Sequence, residues 1–213
     1  MDTEQIRIKD SVRNLVEFCI KDGDLDNRFT TSARAFEGTR AHQKLQADNS
    51  KIYDNYKSEV YLTYDFVVDN ITLSIEGRAD GIIVENDKII IEEIKSTYKK
   101  YAYIDDLNEL HWAQAKVYGF IYCSQNDVDE VTIRLSYVQL DDNEVKSFES
   151  AVSITPGICF SKYNDRIGYG KGFYDRFYLD NKVYKIGICY KECLINENFG
   201  EENDIKVDTV ITN

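Results

Sequence analysis

Apolar positions recur at helical spacing in the opening stretch IRIKDSVRNLVEFCIKDGDL. Val12, Leu15, Val16, Cys19 and Ile20 share one side, which predicts an amphipathic helix ended by Gly23. A second helix is predicted over about residues 32–47, where Ala35, Phe36, Thr39, His42 and Leu45 lie roughly on one side. From Glu59 the period changes to two. The runs EVYLTYDFVVDN, ITLSIEGRADGIIVEN and DKIIIEEIKST are rich in β-branched and aromatic residues and meet at Asp-Asn and Asn-Asp turns, so they predict three antiparallel strands. A long helix across LNELHWAQAKVYGFIYCSQ and a fourth strand, VTIRLSYVQL, follow. The order α-α-β-β-β-α-β predicts an α/β fold in which helices cover a mixed sheet.

The single proline, Pro156, opens a different pattern: PGICF, then RIGYGKGFYDRFY, KIGICY and VDTVIT. These read as strand, glycine loop, helix, strand and strand. A boundary is therefore expected near residue 150, with one domain over 1–150 and a smaller α/β segment over 151–213. The apolar side of that segment could dock on the first domain or pair between chains.

Composition narrows the classes of function. With 213 residues, 43% of them hydrophobic, the chain can bury a sizeable core, and an aromatic content of 13% excludes an intrinsically disordered chain. No apolar run approaches the 18 residues of a membrane span, and the start MDTEQIRIKDSVRN lacks a basic-then-apolar signal layout, so residence in the cytoplasm is expected. Five cysteines form an odd set without a C-x-x-C pair and read as free, mostly buried thiols. For Cys189 and Cys193, core packing is expected over a shared metal.

The net charge of −12 argues against bulk electrostatic capture of nucleic acid, although a carboxylate-rich site can recruit a divalent metal that supplies positive charge. Residues 28–51 run against the acidic trend: Arg28, Arg34, Arg40, Lys44 and Lys51 face only Glu37 and Asp48.

Candidate chemistry gathers in the strands. Asp80 lies in EGRADGIIV, and Glu93 and Lys95 stand two apart in IIIEEIKST, hence on one strand face. Two carboxylates and a lysine on adjacent strands suit phosphodiester hydrolysis. Asp80 and Glu93 would hold a hard divalent cation, and Lys95 would steady the attacking hydroxide or a phosphate oxygen. Gln114 and Tyr118 share a side of the following helix and could contact phosphate or base, while His42 could add a neutral ligand. Each has a plainer alternative: a solvated Glu-x-Lys face, a core tyrosine, a helix-surface histidine.

In order, EGTRAH, GRADG, EEIKS and QAKVY resemble the RecB-like branch of the PD-(D/E)XK nuclease superfamily. The opening SVRNLVEFCIKDGDLDNRF looks like the nuclease region ahead of the motor in some DinG/XPD-type helicases. Over residues 5–149 this resemblance implies a restriction-endonuclease-like core, Mg²⁺ or Mn²⁺ dependence, and exonucleolytic cleavage of a DNA substrate, with a helicase as partner in trans. It assigns His42, Asp80 and Glu93 to metal, Lys95 to catalysis, and Gln114 and Tyr118 to substrate contact. Cys19 and Cys123 alone cannot hold the iron–sulfur cluster of some relatives, so none is expected. No Walker motif is present.

In the tail, glycines 168, 170 and 172 precede FYDRF, so backbone N–H groups and a helix N-terminus could approach phosphate; a glycine-rich turn that merely permits tight packing is the alternative. PGICF, RIGYGKGFYDRF, KIGICY and ENDIKVDTVIT look like the C-terminal portion of 5-formyltetrahydrofolate cyclo-ligase, from about residue 152 onward. That resemblance places ATP phosphates at Arg166, Gly168, Gly170 and Gly172, and Mg²⁺ at Asp175 and Asp204. The family's N-terminal portion has no counterpart here, so the tail is expected to be inactive and ATP to matter only if the tail works. The primary expectation is thus a metal-dependent DNA nuclease. An ATP-dependent cyclo-ligase and a catalytically silent chimera are the alternatives, and the join reads either as a gene fusion or as two joined reading frames.

Overall fold

The computed structural model describes residues 5–20, 32–68, 70–86, 88–155, 157–168, 173–180, 183–201 and 204–212. Strand β1 (Ile6–Ser11) leads into α1 (Val12–Ile20), followed by α2 (Ser32–Ile52). Then come β2 (Tyr56–Val68), β3 (Ile71–Glu85), β4 (Lys88–Thr97), α3 (Glu109–Asn126), β5 (Glu130–Gln139) and β6 (Val145–Thr155). The tail contributes β7 (Cys159–Ser161), β8 (Arg166–Ile167), α4 (Phe173–Asp180), β9 (Tyr184–Cys189), β10 (Leu194–Ile195) and β11 (Thr209–Thr212).

Eight of the strands form one mixed sheet. Strand β2 runs antiparallel along one edge of β3. Since β2 covers nearly all of that edge, β1 (parallel, at 71–76) and β4 (antiparallel, at 81–85) must share the other. From β4 the sheet continues through β5, β6, β9 and β11, with β6 antiparallel to β5 and the other joins parallel. A small second sheet has the order β10-β7-β8. The result is a mixed α/β fold with a large central sheet flanked by helices.

The opening differs from its expected helix. IRIKDS is a strand, and the helix begins only after Ser11, whose Oγ accepts the Asn14 N–H at 3.0 Å as an N-cap. The helical spacing of Val12, Leu15 and Val16 was extended too far upstream, across a cap residue. Strand β6 was not anticipated. It carries residue 150 in its middle, and its outer edge pairs with β9, so the sheet runs unbroken across the expected boundary. The three antiparallel strands of residues 56–97 match the alternation that predicted them.

Helix α3 fills the hollow of the sheet. Asn108 caps its start, its side chain accepting the His111 N–H, and Asp127 ends it in the left-handed region at φ 54°. Its face packs on fully buried Val131, Ile133 and Leu135 of β5, and Gly119 permits the close approach: a Cβ there would stand 2.7 Å from Ile133 Cδ1. Both borders of the sheet bend toward this helix. Tyr64 and Phe66 of β2 reach the core from one side and Ile188 and Ile211 of β9 and β11 from the other, while Lys116 lies 3.5 Å from the centroid of the Tyr184 ring. Among the described residues, no helix is long and apolar enough to cross a membrane.

Because β6 is shared by the two halves, the amides of Ile91 in β4 and Ile186 in β9 are expected to exchange with deuterium through one common global opening as urea is raised. Separate opening free energies would show that the halves unfold independently. Truncation of core Ile133 to Ala is expected to lower both by about 2–5 kcal/mol.

Candidate functional site

Two clusters of predicted residues assemble in the structure. The first sits where β3 and β4 diverge. Their ladder ends at Gly81–Glu92, and beyond it the Asp80 carboxylate takes the Ile94 N–H at 2.7 Å. The neighbouring register places Glu59 of β2 opposite Asp80, since Ser58 pairs with Gly81 and Val60 with Ala79. Glu59 has φ 52°, a strained conformation for a residue with a side chain, and its Oε1 accepts the Gln46 Nε2 of α2 at 2.9 Å. Gln46 also donates to the Asp80 carbonyl at 2.9 Å.

On the α3 face, Lys95 Nζ donates to Glu93 Oε1 at 2.5 Å and to Gln114 Oε1 at 3.2 Å. Tyr118 stands over Gly77, where a Cβ would be 2.6 Å from the phenol oxygen. Glu92, as strand alternation requires, points to the other face, where Asn49, Ser136 and Tyr56 donate to its carboxylate.

Burial governs the electrostatics here. Glu93 is 2% exposed, and desolvation pushes its carboxyl up to about 7 despite Lys95, with the Asp80 and Glu59 charges adding to the rise. Desolvation likewise raises Asp80 to about 6, against the opposing pull of the Ile94 N–H and Lys95. Burial and the nearby Glu93 charge push the Tyr118 phenol up to about 12. His42, half-buried on α2, is held below its usual value by desolvation and then by Lys95. Glu93 Oε2 is buried without a hydrogen-bond partner.

The structure thus brings Asp80, Glu93, Lys95, Gln114 and Tyr118 together. Among the described residues, no group of three His, Cys, Asp or Glu side chains could hold a metal ion. One Asp80 oxygen is engaged by a backbone N–H and one Glu93 oxygen by an ammonium. Glu59 and Gln46 were missed by the sequence reading. The signal for Glu59, its cross-strand position opposite Asp80, exists only once the register is known.

The second cluster is in the tail. Arg166 ends up with its side chain 6% exposed at β8, and its Nη2 donates to both Asp175 oxygens at 3.0 Å. Its guanidinium carbon lies 5.5 Å from the Tyr174 ring centroid. Gly168 is required beside it, because a Cβ there would meet Arg166 Nη1 at 2.6 Å. Asp175 Oδ1 also accepts the Ile205 N–H at 3.3 Å, which brings the Asp204–Ile205 backbone against α4. Asp204 is exposed and accepts the Glu201 N–H at 2.9 Å. Gly170, Lys171 and Gly172 lie outside the described residues, as do Gly23, Arg28 and Pro156.

Residues 120–213 match the 5-formyltetrahydrofolate cyclo-ligase family. A probable 5-formyltetrahydrofolate cyclo-ligase of Caenorhabditis elegans is 38% identical over 65 residues, covering 27% of this chain and 32% of that protein. The 5-formyltetrahydrofolate cyclo-ligase of Mycoplasma genitalium is 31% identical over 93 residues, 43% of this chain and 54% of that protein. The chain therefore spans about a third and about half of these two relatives. Among solved structures, SSO0001 aligns over 70% of this chain and 68% of its own at 21% identity and a TM-score of 0.45. A 5,10-methenyltetrahydrofolate synthetase from Mycoplasma pneumoniae aligns over 55% of this chain and 71% of its own at 21% identity and a TM-score of 0.27. Both scores fall below 0.5, so the fold description rests on the chain's own topology.

These findings correct the nuclease expectation. The matched stretch begins at residue 120, thirty residues inside the region assigned to a nuclease, and the curated relatives are cyclo-ligases. The tail resemblance is borne out and extends further upstream than residue 152, to take in the end of α3 and all of β5 and β6.

The raised carboxyl of Glu93 fixes the sign of a pH effect. The folded state holds this proton more tightly than the unfolded chain, so the stabilisation is complete below the ordinary glutamate range and is lost as pH rises through about 7. Urea unfolding of the wild type is expected to show stability falling by roughly 3 kcal/mol at most between pH 4.5 and 8 from this group. Replacing Glu93 with Gln should flatten that slope. An unchanged slope in the variant would show that Glu93 ionises normally.

Proposed function

We propose that this chain works in the ATP-dependent ring closure of 5-formyltetrahydrofolate to 5,10-methenyltetrahydrofolate, with residues 120–213 carrying the nucleotide side of the site. The family match over that stretch carries this reading. The tail geometry supports it: the family's arginine and first aspartate, Arg166 and Asp175, are locked together at the start of α4, and the loop bearing Asp204 is drawn against them.

Arg166 is built as a phosphate contact. Its guanidinium is oriented by two hydrogen bonds to one carboxylate and by the neighbouring Tyr174 ring, so little side-chain freedom is lost when an anion arrives. Gly168 lets the chain pass close beside that guanidinium, where a Cβ would meet Arg166 Nη1 at 2.6 Å. Mg²⁺ of the kind held largely by phosphates and water needs only one or two carboxylates. Asp204, exposed beside the cluster, would hold it, because both Asp175 oxygens are taken by Arg166; Mg²⁺ there would neutralise phosphate charge. ATP, when bound, supplies the driving force for closing the ring.

The test is formation of the methenyl product and ADP from 5-formyltetrahydrofolate and Mg²⁺-ATP by the purified chain, read by absorbance and by nucleotide analysis. Arg166→Ala is expected to reduce turnover by about 10²-fold or more, and Arg166→Lys, which keeps the charge without the fork, to recover only part of it. Calorimetry showing that the folded wild type binds no Mg²⁺-ATP would overturn the reading.

A further inference from the structure

Three of the five cysteines converge in the tail. Cys189 ends β9, Cys159 opens β7, and Cys193 ends a 3₁₀ turn (Lys191–Cys193) that runs directly into β10. The parallel ladder of β10 on β7 makes two of them neighbours. It pairs Leu194 with Phe160 and Ile195 with Ser161, and the Lys162 N–H donates to the Ile195 carbonyl at 3.0 Å. One step back along that register, Cys193 stands beside Cys159. Paired strands lie about 4.8 Å apart, inside the roughly 4.4–6.8 Å between Cα atoms that a disulfide spans.

The electrostatics report the same convergence. Burial raises the Cys159 thiol above its usual value, and the Cys193 charge raises it further. Cys189 is raised by burial, then by Cys193 and Cys159, while the N–H of Phe160, the residue after Cys159, bonds to its sulfur. Thiols that oppose one another's ionisation lie close together. Among the described residues, the sulfurs belong to no group of three side chains that could hold a metal ion.

A cavity of about 480 Å³ gives access to them. Cys189 and Cys193 line it, and so do Ile158 and Tyr190, whose exposures of 52% and 70% put its mouth in solvent. The pair Cys159 and Cys193 also brackets the anion cluster. Strand β7 pairs Phe160 with Arg166 and Cys159 with Ile167, and the chain between the two cysteines carries Arg166, Gly168 and Asp175. Fully buried Phe160 is wedged beside Gly157 and Gly187, where a Cβ on either would collide with its ring.

We infer that Cys159 and Cys193 form a thiol–disulfide site, oxidised by a small disulfide that enters the cavity, and that the resulting bond clamps the loop carrying Arg166 and Asp175. The Cys193 sulfur attacks one sulfur of the small disulfide, whose S–S bond breaks, and one small thiol leaves with the Cys193 proton. Cys159 then attacks the Cys193 sulfur, the internal bond forms, and the second small thiol leaves with the Cys159 proton. Two protein thiols are oxidised, and one small disulfide is reduced to two thiols. Closing the loop restricts the unfolded chain, so the tail opens less often. The dithiol stands independently of the proposed activity, since no step of that activity uses a thiol.

The test treats the full reduced chain with oxidised glutathione, alkylates the remaining thiols and maps the peptides by mass spectrometry. The expected product is a peptide pair joined through Cys159 and Cys193, formed in the wild type and in Cys189→Ser, absent in Cys193→Ser, and reversed by dithiothreitol. Exposed Cys19 is expected to carry glutathione alone, and Cys123, whose thiol burial pushes up to about 12, to stay reduced. Amide hydrogen exchange at Tyr178 and Ile186, both inside the closed loop, is expected to be about 10²-fold slower in the oxidised chain.

Glutathione held on Cys193 with no internal bond would overturn the site, and so would a bond made through Cys189. The Cys159–Cys193 bond formed with exchange unchanged would overturn the clamp.

Discussion

Helix α3 has Ala115, Tyr118, Gly119, Phe120, Ile121 and Cys123 closed off from solvent, and the larger of the two core clusters is built around that face. The sheet buries both faces: α3 covers the one that carries the larger core, and α2 covers part of the other, where Ala41 packs with Ile94 and Val138. The twist inherent in adjacent strands accumulates across such a sheet, so its borders can curl toward a helix lying on one face. The contacts of α3 depend on absent side chains as much as present ones. Gly119 lets it settle on β5, and Gly77 makes room for Tyr118. A bulkier residue at either place would push the helix away from the sheet.

The carboxylate cluster at Glu93 shows what a fold can impose on ionisable groups. Glu59, Asp80 and Glu93 form a row across three neighbouring strands, and one ammonium, Lys95, faces them. Removing carboxylates from water costs more than one nearby cation returns, so Glu93 favours its neutral form up to about neutral pH. The strained backbone at Glu59 belongs to the same arrangement, because it turns that carboxylate toward Gln46.

Much of this architecture was legible in the chain. Alternation over residues 56–97 predicted the antiparallel strands because each buries alternate residues, and the Glu92/Glu93 division between faces follows from the same period. Strand β1 was misread because the apolar spacing of α1 continues smoothly backward through Ile8, and only Ser11 marks the true start. Strand β6 escaped notice because KSFESAVSIT mixes charge with apolar residues, as a strand with an exposed first half does. Asp80, Glu93, Lys95, Gln114 and Tyr118 were recognised as a group and do converge. What they do was not legible from their convergence, since carboxylate and lysine rows arise from sheet geometry alone. The glycine and aspartate pattern of the tail was the more specific signal, because Arg166, Gly168 and Asp175 serve one local packing arrangement that few sequences satisfy.

The pairing of β9 against β6 has a consequence for how the chain is made. These strands are parallel, so the connection between them must cross the whole sheet height, and it carries β7, β8 and α4 on the way. Strands β9 and β11 thus have no place in the large sheet until the outer edge of β6 exists, whereas β1 to β6 each find a partner among themselves. During synthesis from the N-terminus, the tail would be the last part to settle. In a chain interrupted before residue 184, β6 would become a border strand with an open row of N–H and C=O groups, a template for joining another copy edge to edge.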